Sequence, residues 1–169
     1  KELEKSYHQV PPMNRALVIK TLNTGFDLPW EKLFSSFDLT AFAAASLGQV
    51  HRAFDKAMNP LAVKIQYPDI SRTIANDIRL LKTAVRPMAQ HEMLNVLLDE
   101  VQTVLMQETD YLREAENIQY FKDHLGLDLV AIPEVYPHLS GHNILTMSML
   151  EGTLLDQWLA KGPDQEERN

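Results

Sequence analysis

The sequence predicts an α+β fold, in which an antiparallel sheet of about five strands is covered by one long helix. Three observations support this prediction. Short alternating or apolar segments, typical of strands, occur as hairpin-like pairs; long segments of helical periodicity separate the pairs; and the strand–helix–strand alternation of a parallel sheet is absent. Further helices are expected at the N-terminus and between the third strand and the long helix.

The composition excludes several classes of function. The 169 residues include no cysteine, which removes disulfide frameworks, cysteine-bound zinc and thiol nucleophiles. A formal net charge of -7 argues against a nucleic-acid-binding surface. No apolar run reaches the roughly 18 residues that a transmembrane helix needs. The length suits one domain, or one lobe of a larger one. The first residue is not Met and no signal-peptide pattern follows it, so we expect the chain to be part of a longer protein.

The N-terminal part of the chain is expected to be helical. Residues 1–9 have the character of a helix end that is closed by two prolines. A second helix is predicted from residue 13 to about residue 23, with a glycine just past its end. A short helix is predicted at residues 29–34, with proline in its first turn. Residues 1–35 are therefore interpreted as a helical extension.

The pattern changes to strands after this extension. A first strand is predicted around residues 39–44, and residues 49–54 and 61–65 form a strand pair around turn-forming residues. A helix of roughly 18 residues then begins at Pro68-Asp69 and ends near residue 85, because Pro87 stops it.

The longest periodic segment is predicted to be one helix over residues 93–121. Its apolar residues fall on one stripe at helical spacing: Val101, Val104, Leu105, Tyr111, Leu112, Ala115 and Ile118. Two further strands are predicted at residues 129–135 and 143–149, and another helix begins at residue 153. We expect one lobe over residues 36–152, followed over 153–169 by the start of a second lobe and a charged tail.

Residues 43–50 form a stretch of small side chains that resembles a phosphate-binding loop. On the kinase pattern G-x-G-x-x-G-x-V, Gly48 and Val50 match the last glycine and the valine, whereas Ala43 and Ala45 replace the first two glycines. Small residues let backbone N–H groups approach phosphates closely. Alanine keeps that approach but disfavours positive φ, which predicts a stiffer loop. Ala44 and Ser46 complete the candidate loop, although alone the stretch also fits a turn packed under a helix.

Lys64 is the candidate phosphate-binding side chain. It ends the apolar run Leu61-Ala62-Val63, as the lysine does in the kinase V-A-I-K strand. An inward-pointing ammonium group is costly unless it meets an anion. The alternative is a lysine that extends outward into solvent. The small-residue loop in frame upstream favours the phosphate-binding interpretation.

Three segments together carry a family resemblance. They are Phe42-Ala43-Ala44-Ala45-Ser46-Leu47-Gly48-Gln49-Val50-His51-Arg52-Ala53, Ala62-Val63-Lys64-Ile65-Gln66-Tyr67-Pro68 and Glu108-Thr109-Asp110-Tyr111-Leu112-Arg113-Glu114-Ala115-Glu116-Asn117. In this order they closely resemble the UbiB/ADCK family of atypical kinases, and the resemblance extends from about Val10 to Trp158. The alanine-rich loop is its most specific part.

The resemblance implies a protein-kinase-like N-terminal lobe that binds ATP, with Mg²⁺ as the accompanying ion. It implies a role in ubiquinone (coenzyme Q) biosynthesis, as an ATPase or small-molecule kinase rather than an ordinary protein kinase. It also implies contact with a membrane surface, an isoprenoid lipid or ubiquinone-biosynthesis proteins. The expected location is cytoplasmic or membrane-associated in a bacterium and mitochondrial in a eukaryote. The resemblance further implies that the alanines of the loop limit protein-kinase chemistry.

The carboxylate that pairs with Lys64 has two candidates. Helical periodicity places Glu108 in the middle of the apolar stripe and so favours it as the buried acid. The resemblance instead matches Glu108 and Asp110 to the family's E-x-D motif, which faces an inhibitory K-x-G-Q motif. It matches Glu114 to the partner of the strand lysine. Glu114 is the preferred candidate, with Glu108 as its competitor. Glu116 best fits a solvated helix face.

Residues 143–152 resemble the strand and hinge that receive adenine in kinases. Met147 would stand at the back of the pocket, and backbone groups around Ser148 and Leu150 would bind the base. The usual hinge acid is replaced by Ser148, which matters little where backbone atoms make the contacts.

No catalytic residue and no metal site is assigned within these residues. The H-x-D and D-F-G motifs that kinases carry on their C-terminal lobe are absent, as is K-x-G-Q, and the histidines lack metal-ligand spacing. We expect this lobe to be inactive alone, with the Mg²⁺ ligands on a second lobe. The alternative function is a pseudokinase-like module that holds nucleotide, lipid or a protein partner without turnover.

Overall fold

The computed structural model describes residues 12–126 and 129–165. The helices are α1 (Arg15–Gly25), α2 (Trp30–Leu33), α3 (Ile70–Val85), α4 (His91–Gln107), α5 (Tyr111–His124) and α6 (Leu155–Ala160). The strands are β1 (Ser36–Phe37), β2 (Ala43–Ala45), β3 (Gly48–Phe54), β4 (Pro60–Gln66) and β5 (Ile144–Ser148), and a 3₁₀ turn (Pro137–Leu139) precedes β5. The expected helix over residues 1–9 lies outside the described residues.

The strands form one antiparallel sheet, which confirms the predicted fold class. The order is β1-β3-β4-β5, and β2 pairs with β3 beyond the end of β1. Cross-strand partners share a face of a sheet. The register therefore places Val50, Lys64 and Leu145 on one face, and Gln49, Ile65 and Ile144 on the other.

The second of these faces carries the hydrophobic core. The N-terminal helices cover it, with Val18 and Leu22 of α1 fully buried. The buried core cluster consists of Met13, Val18, Leu22, Phe34, Ala53, Leu61, Val63, Ile65, Leu139 and Ile144. Each fully buried aliphatic side chain contributes about 1.5–3 kcal/mol. The first face is thereby left to Lys64 and to α5.

The predicted strands at residues 39–44 and 129–135 need correction. Residues 38–42 form no strand; they separate β1 from β2, and the Asp38 carboxylate accepts a hydrogen bond from the backbone of Thr40. Residues 129–135 contain no strand either, apart from a single bridge from Val135 to Met147. Apolar, strand-like residues favour extended backbone but do not by themselves provide a strand with a pairing partner.

The single long helix predicted over residues 93–121 is also wrong. The helix is interrupted at residues 108–110, between α4 and α5. Asp110 has a non-helical backbone, and its side chain accepts a hydrogen bond from the backbone N–H of Arg113, which makes Asp110 the N-cap of α5. The hydroxyl of Thr109 donates to the Met106 carbonyl at the end of α4. These local bonds compete with helix continuation.

The break changes which residues are buried. α4 packs against α3, where Lys82 and Asp99 form an ion pair, and it buries none of its residues. Of the predicted apolar stripe, only Tyr111 is buried. The helix beyond β5 begins at Leu155 rather than at residue 153. No helix within the described ranges is both long and apolar enough to span a membrane.

Candidate functional site

The alanine-rich stretch is a tight hairpin. β2 and β3 are joined by the two-residue turn Ser46-Leu47, and Ala45 pairs with Gly48 on either side of it. The turn contains no residue of positive φ, since Met58 and Asp69 are the non-glycine residues of that kind in the described ranges. The alanines therefore adopt extended strand backbone, which any residue accepts. Because their side chains are small, a ligand on the Lys64 face of the sheet could approach the hairpin backbone closely.

Gly48 is required for close packing rather than for an unusual φ. A Cβ atom added there would lie 2.2 Å from the Ile65 carbonyl oxygen and 2.9 Å from the Tyr111 hydroxyl oxygen. The first of these is a backbone atom of the neighbouring strand β4, which cannot move aside cheaply. The glycine thus lets the hairpin lie directly beside β4 and the start of α5.

Lys64 meets its carboxylate in Glu114. The lysine Nζ donates to both Glu114 carboxylate oxygens, at 2.8 and 2.7 Å. The side chain of Lys64 is 13% exposed and that of Glu114 is 34% exposed, so the pair lies at the edge of solvent. Glu114 reaches the lysine because it lies in the first turn of α5, whose start is fixed by the Asp110 cap. A charged lysine on the sheet is thereby matched by an acid from the helix.

Tyr111 forms the floor beneath this ion pair. The Lys64 Nζ lies 4.6 Å from the centre of the Tyr111 ring, which is within cation–π range. The tyrosine hydroxyl is buried and has no hydrogen-bond partner in the described structure. Burial raises the pKa of this hydroxyl, and the nearby carboxylates of Glu114 and Glu108 raise it further. Tyr111 is therefore a neutral phenol beside the lysine.

Glu108 is not the buried acid that the periodicity favoured. It is exposed at the end of α4, because the helix breaks immediately after it. Its carboxylate lies 3.5 Å from the Ser46 hydroxyl, which donates to it from the hairpin turn. Asp110 is occupied as the N-cap of α5. Glu116 is exposed. Of the candidate acids, Glu114 contacts Lys64.

The sheet beside the ion pair presents an apolar surface. Val50 pairs with Lys64 across β3 and β4, and Lys64 pairs with Leu145 across β4 and β5. Ala62 lies two residues before the lysine and pairs with Met147. Val50, Ala62 and Met147 are each partly exposed, so this face is open beside the lysine. Ala43 pairs with Val50 and extends the same face into the hairpin.

The end of β5 and the residues after it distinguish the two candidate residues Ser148 and Leu150. The backbone N–H of Ser148 donates to the Glu134 carbonyl, and the Ser148 hydroxyl accepts from the Glu134 N–H. Leu150 lies just past the strand, is about half exposed, and makes no backbone hydrogen bond within the described residues. The Leu150 backbone is thus the part of the segment that is left available for a ligand.

The described residues hold no group of three or more side chains suited to bind a metal ion. The acids near Lys64 are divided among separate tasks: Glu114 pairs with the lysine, Asp110 caps α5, and Glu108 contacts Ser46. A Mg²⁺ ion needs near-octahedral oxygen ligands.

Sequence reasoning missed two residues of this site. Tyr111 was interpreted as part of an apolar stripe, yet it precedes Glu114 by three residues and so shares its helix face. Ala62 precedes Lys64 by two residues and therefore shares its strand face. Both spacings were visible in the sequence. No local signal in the sequence marks the helix break before Tyr111, and this break decides which residues of α5 face the sheet.

Comparison with known proteins gives a consistent result. The model of the ABC1 atypical kinase-like domain family matches residues 5–168. The mitochondrial atypical kinase COQ8 of Saccharomyces cerevisiae is 38% identical over 73% of this chain and 26% of its own length. The zebrafish atypical kinase COQ8B is 34% identical over 89% of this chain and 24% of its own.

A solved structure shares the fold. The complex of Rv3197 with erythromycin from Mycobacterium tuberculosis superposes with a TM-score of 0.73 at 26% identity, and it covers 99% of this chain and 44% of that one. The chain spans about a quarter of the length of the two COQ8 relatives. The family match over nearly the whole chain shows that the chain belongs to the ABC1 atypical kinase-like family, which includes the COQ8/ADCK kinases.

Proposed function

We propose that this chain is the nucleotide-binding lobe of a UbiB-like atypical kinase or ATPase that supports ubiquinone biosynthesis. The observation that carries the proposal is the Lys64–Glu114 pair, which lies beside an open apolar sheet face that the hairpin of small residues extends. A nucleotide needs these three parts: a cation for its phosphates, close backbone for the phosphate oxygens, and an apolar surface for its base.

The residues fit a nucleotide as follows. Lys64 would bind phosphate oxygens, with Glu114 fixing its ammonium group in place. The hairpin around Ala43, Ala44, Ala45, Ser46 and Gly48 would cover the phosphates. Val50, Ala62 and Met147 would contact the base. Of the backbone groups around Ser148 and Leu150, those of Leu150 would bind its polar edge, because the Ser148 N–H already donates to Glu134.

A kinase reaction also needs the acids and the amide of the H-x-D and D-F-G region, and these motifs are absent from this sequence. ATP supplies a transferable phosphoryl group, and Mg²⁺ would neutralise phosphate charge. The described residues hold no cluster suited to that ion. We therefore assign the metal ligands and the catalytic base to a second lobe. This chain would bind and orient the nucleotide, and without the second lobe it would turn none over.

The biosynthetic part of the proposal rests on the COQ8 relatives, which are named atypical kinases and are about a third identical to this chain. A membrane surface, an isoprenoid lipid or ubiquinone-biosynthesis proteins would be the partners of the whole protein. Several relatives are named mitochondrial or chloroplastic, and a mitochondrial location is proposed for a eukaryotic source.

Nucleotide binding is tested by calorimetric titration of ATP and ADP into the full-length protein, with and without Mg²⁺. Lys64→Met removes the ammonium group and should weaken ATP binding by at least about tenfold, as expected for losing a charge-assisted contact. Lys20→Met, on the exposed surface of α1, is the matched control and should bind as the wild type does. Equal affinity in all three proteins would refute the assignment of Lys64.

Turnover and biosynthesis are tested separately. We expect Lys64→Met to abolish ATP hydrolysis and to fail to restore ubiquinone in cells that lack the gene, whereas Lys20→Met restores it. Tight binding without any hydrolysis by the full-length protein would instead favour the binding module. Full hydrolysis by Lys64→Met would contradict the proposal.

A further inference from the structure

We propose that Gln49 and His51 are positioning residues that couple the start of α1 to the alanine hairpin. They would fix the position of the hairpin backbone relative to a bound nucleotide. This inference rests on the proposed function for its consequence, but the coupling itself can be measured without any ligand. Neither residue touches the Lys64 side of the sheet, because both lie on the core face of β3.

The two side chains form one chain of hydrogen bonds. The backbone N–H of Met13, two residues before α1, donates to the Gln49 Oε1 at 2.7 Å. The Gln49 Nε2 lies 2.8 Å from the His51 Nε2, and the His51 Nδ1 lies 2.8 Å from the Asp38 carbonyl oxygen. The chain thus joins three segments: the entry to α1, strand β3, and the connection between β1 and β2.

The direction of each bond is fixed by its ends. The Met13 N–H can only donate, so Gln49 accepts with its oxygen and offers its amide nitrogen to His51. That nitrogen can only donate, so the His51 Nε2 must be the acceptor and its Nδ1 must carry the proton, which it gives to the Asp38 carbonyl. One tautomer satisfies the chain, and reversing any bond places two donors or two acceptors face to face.

Burial makes this chain expensive to leave incomplete. Gln49 is 2% exposed and His51 is 0% exposed. An unpartnered polar group at such a position costs more than its hydrogen bond contributes. If Met13 moved away, the Gln49 Oε1 would lose its donor and the side chain would have to shift. Core packing alone would be served by apolar side chains, so the polar chain is better explained by the segments it connects.

The hairpin is the part of the molecule that would respond. Gln49 follows Gly48 directly, and its cross-strand partner is Ala44 in the middle of the alanine stretch. Gly48 is already in close contact with β4, so the hairpin cannot slide toward that strand. A displacement of Gln49 is therefore transmitted along β3 to the turn at Ser46-Leu47. The entry to α1 would in this way control the phosphate-binding surface from the opposite face of the sheet.

The test compares two variants that each remove a buried polar group from the core face. Gln49→Leu removes both bonds of the glutamine. Thr146→Val is the matched control, because Thr146 is 0% exposed on the same face but donates to Leu139, away from the hairpin. Amide hydrogen exchange of the full-length protein without nucleotide should show faster exchange in residues 13–18 and 42–50 together in Gln49→Leu. Thr146→Val should leave both segments unchanged.

Nucleotide binding supplies the functional readout. Gln49→Leu should weaken ATP binding by about five- to tenfold, while Thr146→Val at a similar melting temperature changes it less than about twofold. Unchanged exchange at the hairpin in a folded Gln49→Leu protein would overturn the coupling. If ATP binds neither wild type nor variants, the proposed function fails, whereas the exchange pattern still decides the coupling.

The tautomer of His51 tests the hydrogen-bond chain itself, independently of its effect on the hairpin. Nitrogen chemical shifts of His51 should show a protonated Nδ1 and a bare Nε2 in the wild type. In Gln49→Glu the carboxylate keeps the Met13 bond but presents a second acceptor to the His51 Nε2, so His51 should titrate at higher pH than in the wild type. A wild-type proton on Nε2, or no change of titration in Gln49→Glu, would contradict the hydrogen-bond chain.

Discussion

At the scale of single residues, the site depends on small side chains that allow close approach and on one partly buried lysine that is paired with a carboxylate. Gly48 allows the hairpin to touch β4, and Ala62 leaves the face beside Lys64 open. The lysine–glutamate pair could be anticipated as a possibility, because both residues occur in recognisable motifs. The choice between Glu114 and Glu108 could not be made from periodicity, since it depended on a helix break that shifts the phase of every later residue.

The two small positions on either side of the hairpin turn should respond differently to substitution. Ala45→Gly relaxes the backbone and should cost up to about 1 kcal/mol, so the fold survives while ATP and ADP affinities change. Gly48→Ala forces a Cβ atom against the Ile65 carbonyl and should cost about 2 kcal/mol or more. Denaturant unfolding and nucleotide titration of both variants in the full-length protein provide the measurement. Nucleotide affinities identical to wild type in Ala45→Gly would show that the alanines serve packing alone.

His51 makes stability depend on pH. Burial lowers its pKa from the ordinary 6.5, although the Asp38 backbone bond and the Asp38 charge oppose this effect. The ring that packs on His51, Phe37, is uncharged and does not affect this titration. Below about pH 6.5 the unfolded chain takes up a proton that the folded chain does not, so the free energy of unfolding should fall. The fall should level off once the pH is below the folded-state pKa. An NMR titration of His51 with its midpoint at or above 6.5 would contradict this.

At the scale of secondary-structure elements, the break between α4 and α5 is the decisive feature. The sequence predicts the helical character of both segments and the antiparallel strand pairs, because these signals are local. It does not predict the break, since Thr109-Asp110 is tolerated within a helix unless tertiary bonds favour the cap. Gln66, the last residue of β4, supplies such a bond. Its Nε2 donates to the Thr109 carbonyl oxygen at a distance of 2.8 Å.

Substitution of Asp110, the N-cap of α5, should show how much the cap contributes to stability and how much it contributes to the placement of Glu114. Asp110→Ala should destabilise the protein by about 1 kcal/mol, because the Arg113 N–H loses its acceptor, whereas Asp110→Asn should retain most of the stability. Since Glu114 lies in the first turn of α5, Asp110→Ala should also weaken ATP binding more than Asp110→Asn does. Denaturant unfolding and ATP titration provide the measurement. Equal stability of the two variants would show that the cap contributes nothing.

At the scale of the whole molecule, the sheet divides two tasks between its faces. One face packs on the N-terminal helices and forms the core. The other presents Lys64, Ala62 and Met147, and the hairpin extends this second face. Hydrophobic patterning could predict the core face, since strand residues alternate. The covering helix could not be predicted, because α4 turned out to pack on α3 instead of on the sheet.

The most direct test of this division is methyl NMR of the full-length protein during titration with ATP and Mg²⁺. Ala62 and Met147 report on the proposed nucleotide face. Ala53, on the neighbouring strand β3, reports on the opposite, core face. We predict saturable shifts for the methyl groups of Ala45, Ala62 and Met147, little change at Ala53, and loss of these shifts in Lys64→Met. Saturable shifts at Ala53 with none at Ala62, or no saturable shift at any of these methyl groups, would contradict it.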